Sequence, residues 1–315
     1  MSIQQKTSQL FEKQIAGWPL LGANWVKLDS VLLKTFNFDG FSIEVQFNPK
    51  RITSSAAKVD KGSIEKRPCF LCPANRPPEE AHVAFGTDYE IMCNPFPIFR
   101  KHYTIAKTSH TQQVIDSEFS RMLDLSRELP ELAVFYNAPA CGASAPDHMH
   151  FQAGSRGLMP VEDELGSLME RYGECLSKDV LCQVTAVNDG LRRFLVLESD
   201  RKEPIEDAFA HISAYMRRLA AGSEPMFNIL SYFRESWQVL VFPRGKHRPW
   251  QFFEEGEKNI LLSPASVDMG GMLITPLEKD FNKITVDDIV DIFTQISLSE
   301  KLFDELCTFL TPQLS

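Results

Sequence analysis

The sequence predicts an α+β protein of two related halves, each with an antiparallel sheet packed by helices. Three observations carry that prediction. The chain has 315 residues, about twice a typical domain of roughly 150. Hydrophobic residues make up 43% of it and include 23 Phe, enough for a substantial core. Each half sets short strand-like runs around one long helical stretch, an order that suggests duplication although no clean sequence repeat is present. The expected division is an extension over residues 1–40, a first half over 41–176 and a second over 177–315.

Leu10, Phe11 and Ile15 give a short amphipathic helix stopped by Gly17 and Pro19. Phe41, Ile43, Val45 and Phe47 alternate with polar residues, the period of a half-buried strand. Residues 48–68 are polar and basic, with Arg51 and Lys58 among them, and read as a long loop able to fold over a ligand. CFLCPANRPPEE follows as a turn-rich knuckle. In YEIMCNPFPIFRKHYTIA two apolar runs flank Asn94-Pro95-Phe96-Pro97, and the prolines make this strand–turn–strand. A helix is expected over 116–128, an apolar strand over 132–136, and a second helical block over 160–176. The second half continues with strands at 182–187 and 194–197, a helix over 206–220, and strands at 227–232 and 237–242. A basic turn, PRGKHRP, and a turn-rich stretch, SPASVDMGGMLITP, precede closing helices at 286–296 and 300–310.

The composition excludes several classes of function. The net charge of −9 argues against a duplex nucleic-acid binder, although a local basic site for one phosphate remains open. No apolar run reaches the roughly 18 residues of a membrane span. MSIQQKTSQLFEKQ has neither the apolar core nor the cleavage site of a signal peptide. Seven cysteines without such a signal read as thiols or metal ligands. A soluble cytoplasmic enzyme is the expectation.

His148-Met149-His150-Phe151-Gln152 is the most informative stretch. On a strand, histidines at i and i+2 point the same way. The preceding Cys141-Gly142-Ala143-Ser144-Ala145-Pro146 is small and turn-forming, so its amides can approach an anion. Imidazole is a fair nucleophile and leaving group at phosphorus. A surface or core pair is the competing reading of the two histidines. Cys69 and Cys72 form a CxxC pair that metal, buried packing or redox chemistry would each explain. His110 lies 38 residues beyond Cys72 and His148 another 38 beyond that, so a Cys₂His₂ site would need a folded domain to assemble it.

These segments resemble the histidine-triad superfamily, in its HxHxQ transferase branch. That branch holds galactose-1-phosphate uridylyltransferase, diadenosine tetraphosphate phosphorylase and GDP-hexose phosphorylase. GASAPDHMHFQ is similar to the turn and strand of the diadenosine tetraphosphate phosphorylases, and HMHFQA to plant GDP-L-galactose phosphorylase. PCFLCPANRP resembles the uridylyltransferase zinc knuckle, and MCNPFPIFRKHYTIAKTSH the superfamily's N-x-F-P hairpin. FNILSYFRESWQVLVFPR and SPASVDMGGMLITPLEKDFNKITVDDI resemble the phosphorylases' carboxy-terminal hairpin and acceptor-side loop.

The resemblance implies definite roles. His150 matches a nucleophile that forms a covalent nucleotidyl–imidazole intermediate, and Gln152 a side chain that hydrogen-bonds the phosphoryl oxygens. Gln in place of a third His points to transfer or phosphorolysis. Cys69, Cys72, His110 and His148 match ligands of a structural zinc. Asn94 matches a ribose or phosphate contact, with turn stabilisation as its alternative; Asn137 and Ser144 match phosphate-side contacts, with a strand-end cap and a turn role as their alternatives. His102 has a counterpart in the hairpin but reads as a satisfied buried histidine. Arg244 and Lys246, with His247 and Arg248, form the compact basic cluster of the second half, suited to an acceptor phosphate or simply exposed.

The implied reaction is cleavage of a nucleotide anhydride, a dinucleoside polyphosphate or nucleoside-diphosphate hexose, with inorganic phosphate or a sugar phosphate as co-substrate. A phosphate-independent hydrolase and a non-catalytic nucleotide-binding protein with structural zinc are the alternatives. A small-molecule nucleotide is the expected partner, without nucleic acid or membrane, and the resemblance allows a homodimer.

Overall fold

The computed structural model describes residues 1–52, 60–177, 181–222 and 224–314. It opens with two helices, α1 (Ile3–Gly17) and α2 (Pro19–Val26). Ser2 caps α1 through a reciprocal bond with Gln5, and Thr7, Leu10, Phe11 and Gln14 form its buried stripe. Helix α1 ends at Gly17 as expected, and a second helix starts directly after it. Pro19 sits in the first turn of α2, where its missing N–H costs nothing.

An antiparallel hairpin follows, β1 (Leu32–Asn37) with β2 (Ser42–Phe47). Strand β1 was not expected, because its burial is slight and its apolar residues do not alternate cleanly. Residues 48–68, expected as a loop, contain a short 3₁₀ turn at Pro49–Arg51 and helix α3 (Lys61–Lys66), capped by Asp60. Lys58 lies outside the described residues.

The main sheet begins with β3 (His82–Phe85), β4 (Tyr89–Cys93) and β5 (His102–Lys107). Helix α4 (Phe119–Glu128) leads to β6 (Leu132–Asn137) and β7 (His150–Ser155). Helix α5 (Val161–Tyr172) then leads to β8 (Gly173–Cys175), β9 (Gln183–Asn188) and β10 (Arg193–Ser199). Helix α6 (Lys202–Leu219) precedes β11 (Phe227–Phe233) and β12 (Trp237–Pro243).

These strands form one ten-stranded sheet in the order β3-β4-β5-β7-β6-β11-β12-β10-β9-β8. The order is a duplication. From either edge inwards a three-stranded meander is followed by the strand that returns after the innermost one, and a helix precedes each innermost strand. The two copies join where β6 and β11 pair antiparallel, with Asn137 opposite Asn228. Strands near this join are buried almost continuously, as expected where both faces are covered.

One face carries α1, α4 and α6, whose Phe11, Phe119, Met122, Phe209 and Ile212 pack on it. The other carries α5 and a smaller sheet. That sheet adds β13 (Met272–Thr275), which runs parallel to β2 and so ties residues 272–275 to residues 44–47. A four-residue helix, α7 (Ser266–Met269), precedes β13; α8 (Glu278–Lys283), α9 (Val286–Ile296) and α10 (Glu300–Leu310) end the chain.

Two further expectations change. Residues 263–276 were read as turn-rich, yet they hold α7 and β13. The helical block read over 160–176 ends at Tyr172, and Gly173–Cys175 become strand β8. A Cβ at Gly173 would lie 2.2 Å from the Met169 carbonyl oxygen, so the exit from the helix needs glycine there. No described helix is long and apolar enough to cross a membrane.

Candidate active site

Strand β6 ends at Asn137 and β7 begins at His150, and the small-residue turn between them closes one end of a cleft of about 410 Å³. His150, Gln152, Asn94, Asn137, Ser144 and Arg51 all line it. The second half supplies the facing wall through Arg248, Ser263, Ala265 and Asp268. The join is tight at Gly142: its φ is +93°, and a Cβ there would stand 2.6 Å from the Ala265 Cβ. Glycine is thus required both by the backbone conformation and by the approach of the opposite wall.

His150 is buried, and its Nδ1 lies 2.8 Å from the His148 carbonyl oxygen. A carbonyl only accepts, so Nδ1 carries the proton and Nε2 keeps its lone pair. Burial pushes the imidazole down to about 4, leaving the ring neutral at pH 7. The backbone around it is held by a residue absent from the expected set. Gln113, with no exposed surface, accepts from the His150 N–H at 2.8 Å. Its amide nitrogen donates to the carbonyls of His150 at 2.9 Å and Asn137 at 3.0 Å. One side chain therefore clasps both ends of the turn.

Asn137 is fixed at its oxygen. Oδ1 accepts from Asn228 Nδ2 at 2.8 Å, from Ser266 N at 2.8 Å and from Ser266 Oγ at 2.7 Å. Its amide NH₂ is the end left for the cleft. Gln152 is bonded through Oε1 to His102 Nε2 at 3.0 Å. Asn94 accepts from the Phe96 N–H at 2.9 Å, so it does serve its turn while also lining the cleft.

Arg51 donates from Nη1 to the Phe96 carbonyl at 3.1 Å, and burial lowers its guanidinium to about 10. The Ser144 carbonyl accepts from Arg67 Nη2 at 2.7 Å, which brings a second arginine to the cleft. Asp268 also lines it; burial raises its carboxyl to about 6, against hydrogen bonds from the Ala265 and Ile274 amides.

Two expected phosphate ligands are elsewhere. Arg244 is 2% exposed and does not line the cleft. Its guanidinium bonds the Asn228 side chain and the carbonyls of Pro264, Lys246, His247 and Ile296. It thereby holds the basic turn and, through Asn228, the oxygen of Asn137. Lys246 is exposed and donates to Gln295 Oε1 at 3.2 Å, also away from the cleft. Of the basic turn it is Arg248 that lines the site, with Nε bonded to Ser263 Oγ at 2.9 Å.

Cys69, Cys72, His110 and His148 converge, with their ligand atoms within 4.8 Å of one another. Sγ–Nδ1 separations are 3.3 Å for Cys69–His148, 3.2 Å for Cys72–His110 and 3.6 Å for Cys72–His148. Tetrahedral zinc, with bonds of about 2.3 Å to sulfur and 2.0–2.1 Å to nitrogen, needs about 3.6 Å between such atoms. Each histidine turns its other nitrogen to an oxygen. His148 Nε2 is 2.7 Å from the Lys107 carbonyl, and His110 Nε2 is 3.4 Å from Asp147. That outer pairing leaves both Nδ1 lone pairs for a metal. The described residues thus offer a Cys₂His₂ metal-binding set. The two histidines of HxH do not share one strand face as expected: β7 begins at His150, and His148 lies in the bend before it.

Comparisons with known proteins bear on the fold. Residues 10–155 match a family model described as a domain of unknown function, DUF4922. Residues 170–315 match the model of the GDPGP1-like, C-terminal domain. No curated protein matches by sequence. Among solved structures, the yeast Ap4A phosphorylase Apa2 in complex with AMP superposes with a TM-score of 0.63 at 15% identity. That match covers 95% of this chain and 98% of the yeast chain. The same enzyme in complex with Ap4A gives a TM-score of 0.61 at 18% identity, over 93% and 98% of the two chains. The carboxy-terminal half thus matches the GDPGP1-like domain model, and the chain as a whole shares its duplicated α+β fold with the yeast Ap4A phosphorylase.

Proposed function

We propose that the protein is a nucleotidyltransferase or phosphorylase that cleaves a nucleotide anhydride through a nucleotidyl-His150 intermediate. The observation that carries this reading is the state of His150: a buried neutral imidazole with Nδ1–H tied to the His148 carbonyl, lining a cleft beside donors suited to phosphoryl oxygens. In the first step the Nε2 lone pair attacks the α-phosphorus. An N–P bond forms, the anhydride P–O bond breaks, and the distal phosphate leaves with that electron pair. In the second step an oxygen of inorganic phosphate or of a sugar phosphate attacks the same phosphorus, and the N–P bond returns its electrons to Nε2. Gln152 and Asn137 donate to the non-bridging oxygens, and Arg51 and Arg67 offset their charge. Asn94 and Ser144 contact the ribose or phosphate side. Of the basic cluster expected to receive the acceptor phosphate, Arg248 takes that role, and Arg244 and Lys246 do not.

The metal at Cys69, Cys72, His110 and His148 would be zinc in a structural role, since four protein ligands leave no open position. Its ligand His148 is the residue whose carbonyl sets the His150 tautomer, so the metal would act on the reaction through position alone.

The test is a panel of dinucleoside polyphosphates and GDP-, UDP- and ADP-hexoses, with and without phosphate, followed by product analysis. Phosphate-dependent release of a nucleoside diphosphate, or exchange with a sugar phosphate, supports the reading. Phosphate-independent turnover would make the protein a hydrolase. Tight binding without turnover, unchanged in His150→Ala, would make it a nucleotide-binding protein.

A further inference from the structure

We propose that His102 is a positioning residue that holds Gln152 with its amide NH₂ toward the cleft. The inference rests on the phosphoryl-transfer reading above. His102 has no exposed surface and lies on β5, two residues before Thr104, which pairs with Gln152 across β5 and β7. Its ring is caged. Phe99 packs edge-on at 5.3 Å between centroids and Phe135 lies at 6.0 Å. The residue opposite His102 is Gly154, where a Cβ would stand 2.4 Å from the Phe99 ring. Glycine there makes room for the phenyl group that confines the imidazole.

Hydrogen-bond logic then fixes the orientation of Gln152. The Ile98 backbone N–H points at His102 Nδ1 from 3.2 Å. A backbone N–H only donates, so Nδ1 bears the lone pair and the neutral ring carries its proton on Nε2. Nε2 is 3.0 Å from Gln152 and must meet an acceptor, which is Oε1. The NH₂ end is left for the cleft that Gln152 lines. Burial, with Arg51 nearby, holds His102 down at about 3, so this tautomer persists at neutral pH. An imidazolium would set Nδ1–H against the Ile98 N–H.

The consequence is electrostatic. The two ends of a glutamine amide have almost the same shape, and without a fixed partner both orientations are accessible. One presents two donors to a phosphoryl group and the other a carbonyl dipole of the wrong sign. Losing one preorganised donor at such a site costs about 10²–10³ in rate.

Two measurements test the proposal in the metal-loaded full chain. The first needs no turnover: ¹⁵N NMR of histidine-labelled protein at pH 7, with His102→Gln to assign the signal. The expected result is a neutral His102 protonated at Nε2; protonation at Nδ1, or at both nitrogens, overturns the proposal. The second is the rate of nucleotidyl-enzyme formation in His102→Phe, Gln152→Ala and the double variant. His102→Phe is expected to slow adduct formation about 10²-fold alone, and less than about threefold further when Gln152 is already alanine. Equal slowing in both backgrounds would show a structural role and overturn the proposal. His102→Gln, which keeps a donor at the same reach, is expected to recover most of the lost rate; a rate no better than that of His102→Phe overturns it. If the wild-type protein forms no adduct, the functional reading fails by itself, and the tautomer decides this proposal alone.

Discussion

Replacing Gln113 by alanine removes the clasp between the two ends of the His150 turn. The side chain is fully buried and satisfies three backbone groups, the His150 N–H, the His150 carbonyl and the Asn137 carbonyl. Each buried group left without a partner costs about 1–3 kcal/mol, so Gln113→Ala should lose at least about 3 kcal/mol. With an unfolding entropy of about 2.1 cal/mol/K per residue, that is about 5 °C in the melting temperature of this chain. The rate of His150 modification should fall further than stability alone explains, since both His150 and Asn137 lose their anchor. Gln113→Glu sharpens the test. Its carboxyl can accept from the His150 N–H but must protonate to bond either carbonyl, so burial and those carbonyls raise its folded pKa above the unfolded value of about 4.3. Stability contributed by that proton is present below about pH 4 and is lost as pH rises through the folded pKa. Thermal melts of both variants against pH, with adduct formation as the second readout, decide the matter. A shift below about 1 °C in Gln113→Ala, with an unchanged rate, would refute the clasp.

Gly142→Ala should open the cleft by pushing the turn off Ala265 and straining a φ of +93°; a loss of about 1–3 kcal/mol and weaker nucleotide binding are expected by thermal melts and calorimetry. His102 and His247 are held neutral by burial, down to about 3 and about 4. The unfolded chain, with histidine near 6.5, binds more protons below that value, so their contribution to stability is full above about pH 7 and falls as pH drops toward 4. Melts from pH 7.5 to 4.5 should show a shallower acid slope in His247→Gln than in the wild type. Elemental analysis should find one zinc per chain, abolished in Cys69→Ser/Cys72→Ser; chelation should lower both melting temperature and adduct rate, because the His148 carbonyl that holds His150 moves with its ring.

The parts of the site legible in the sequence are those whose chemistry is local. HxHxQ places His150 and Gln152 two residues apart on one strand, and the small turn before it lines the same cleft. The CxxC pair and two distant histidines do converge, although only the assembled sheet brings His110 and His148 beside Cys69 and Cys72. Gln113 carried no signal, since its partners are backbone atoms 24 and 37 residues away. Arg244 misled because a basic turn reads as exposed, whereas this guanidinium replaces water with five backbone and side-chain oxygens. In the fold, long amphipathic helices and the buried central strands were readable from their period. Strands β1, β3 and β13 were not, because short segments are defined by the neighbour they pair with. The duplication was visible only as an order of elements, and the matching order of strands in the two halves of the sheet shows it in space.

The central claim is that His150 becomes covalently nucleotidylated. The direct measurement is the intact mass of the zinc-loaded protein after incubation with a nucleoside-diphosphate hexose or dinucleoside polyphosphate in the absence of phosphate. One nucleotidyl group per chain is expected, mapped to His150, discharged by phosphate, and absent from His150→Asn. Turnover of the same substrate with no adduct in the wild type, or an adduct that persists in His150→Asn, would contradict it.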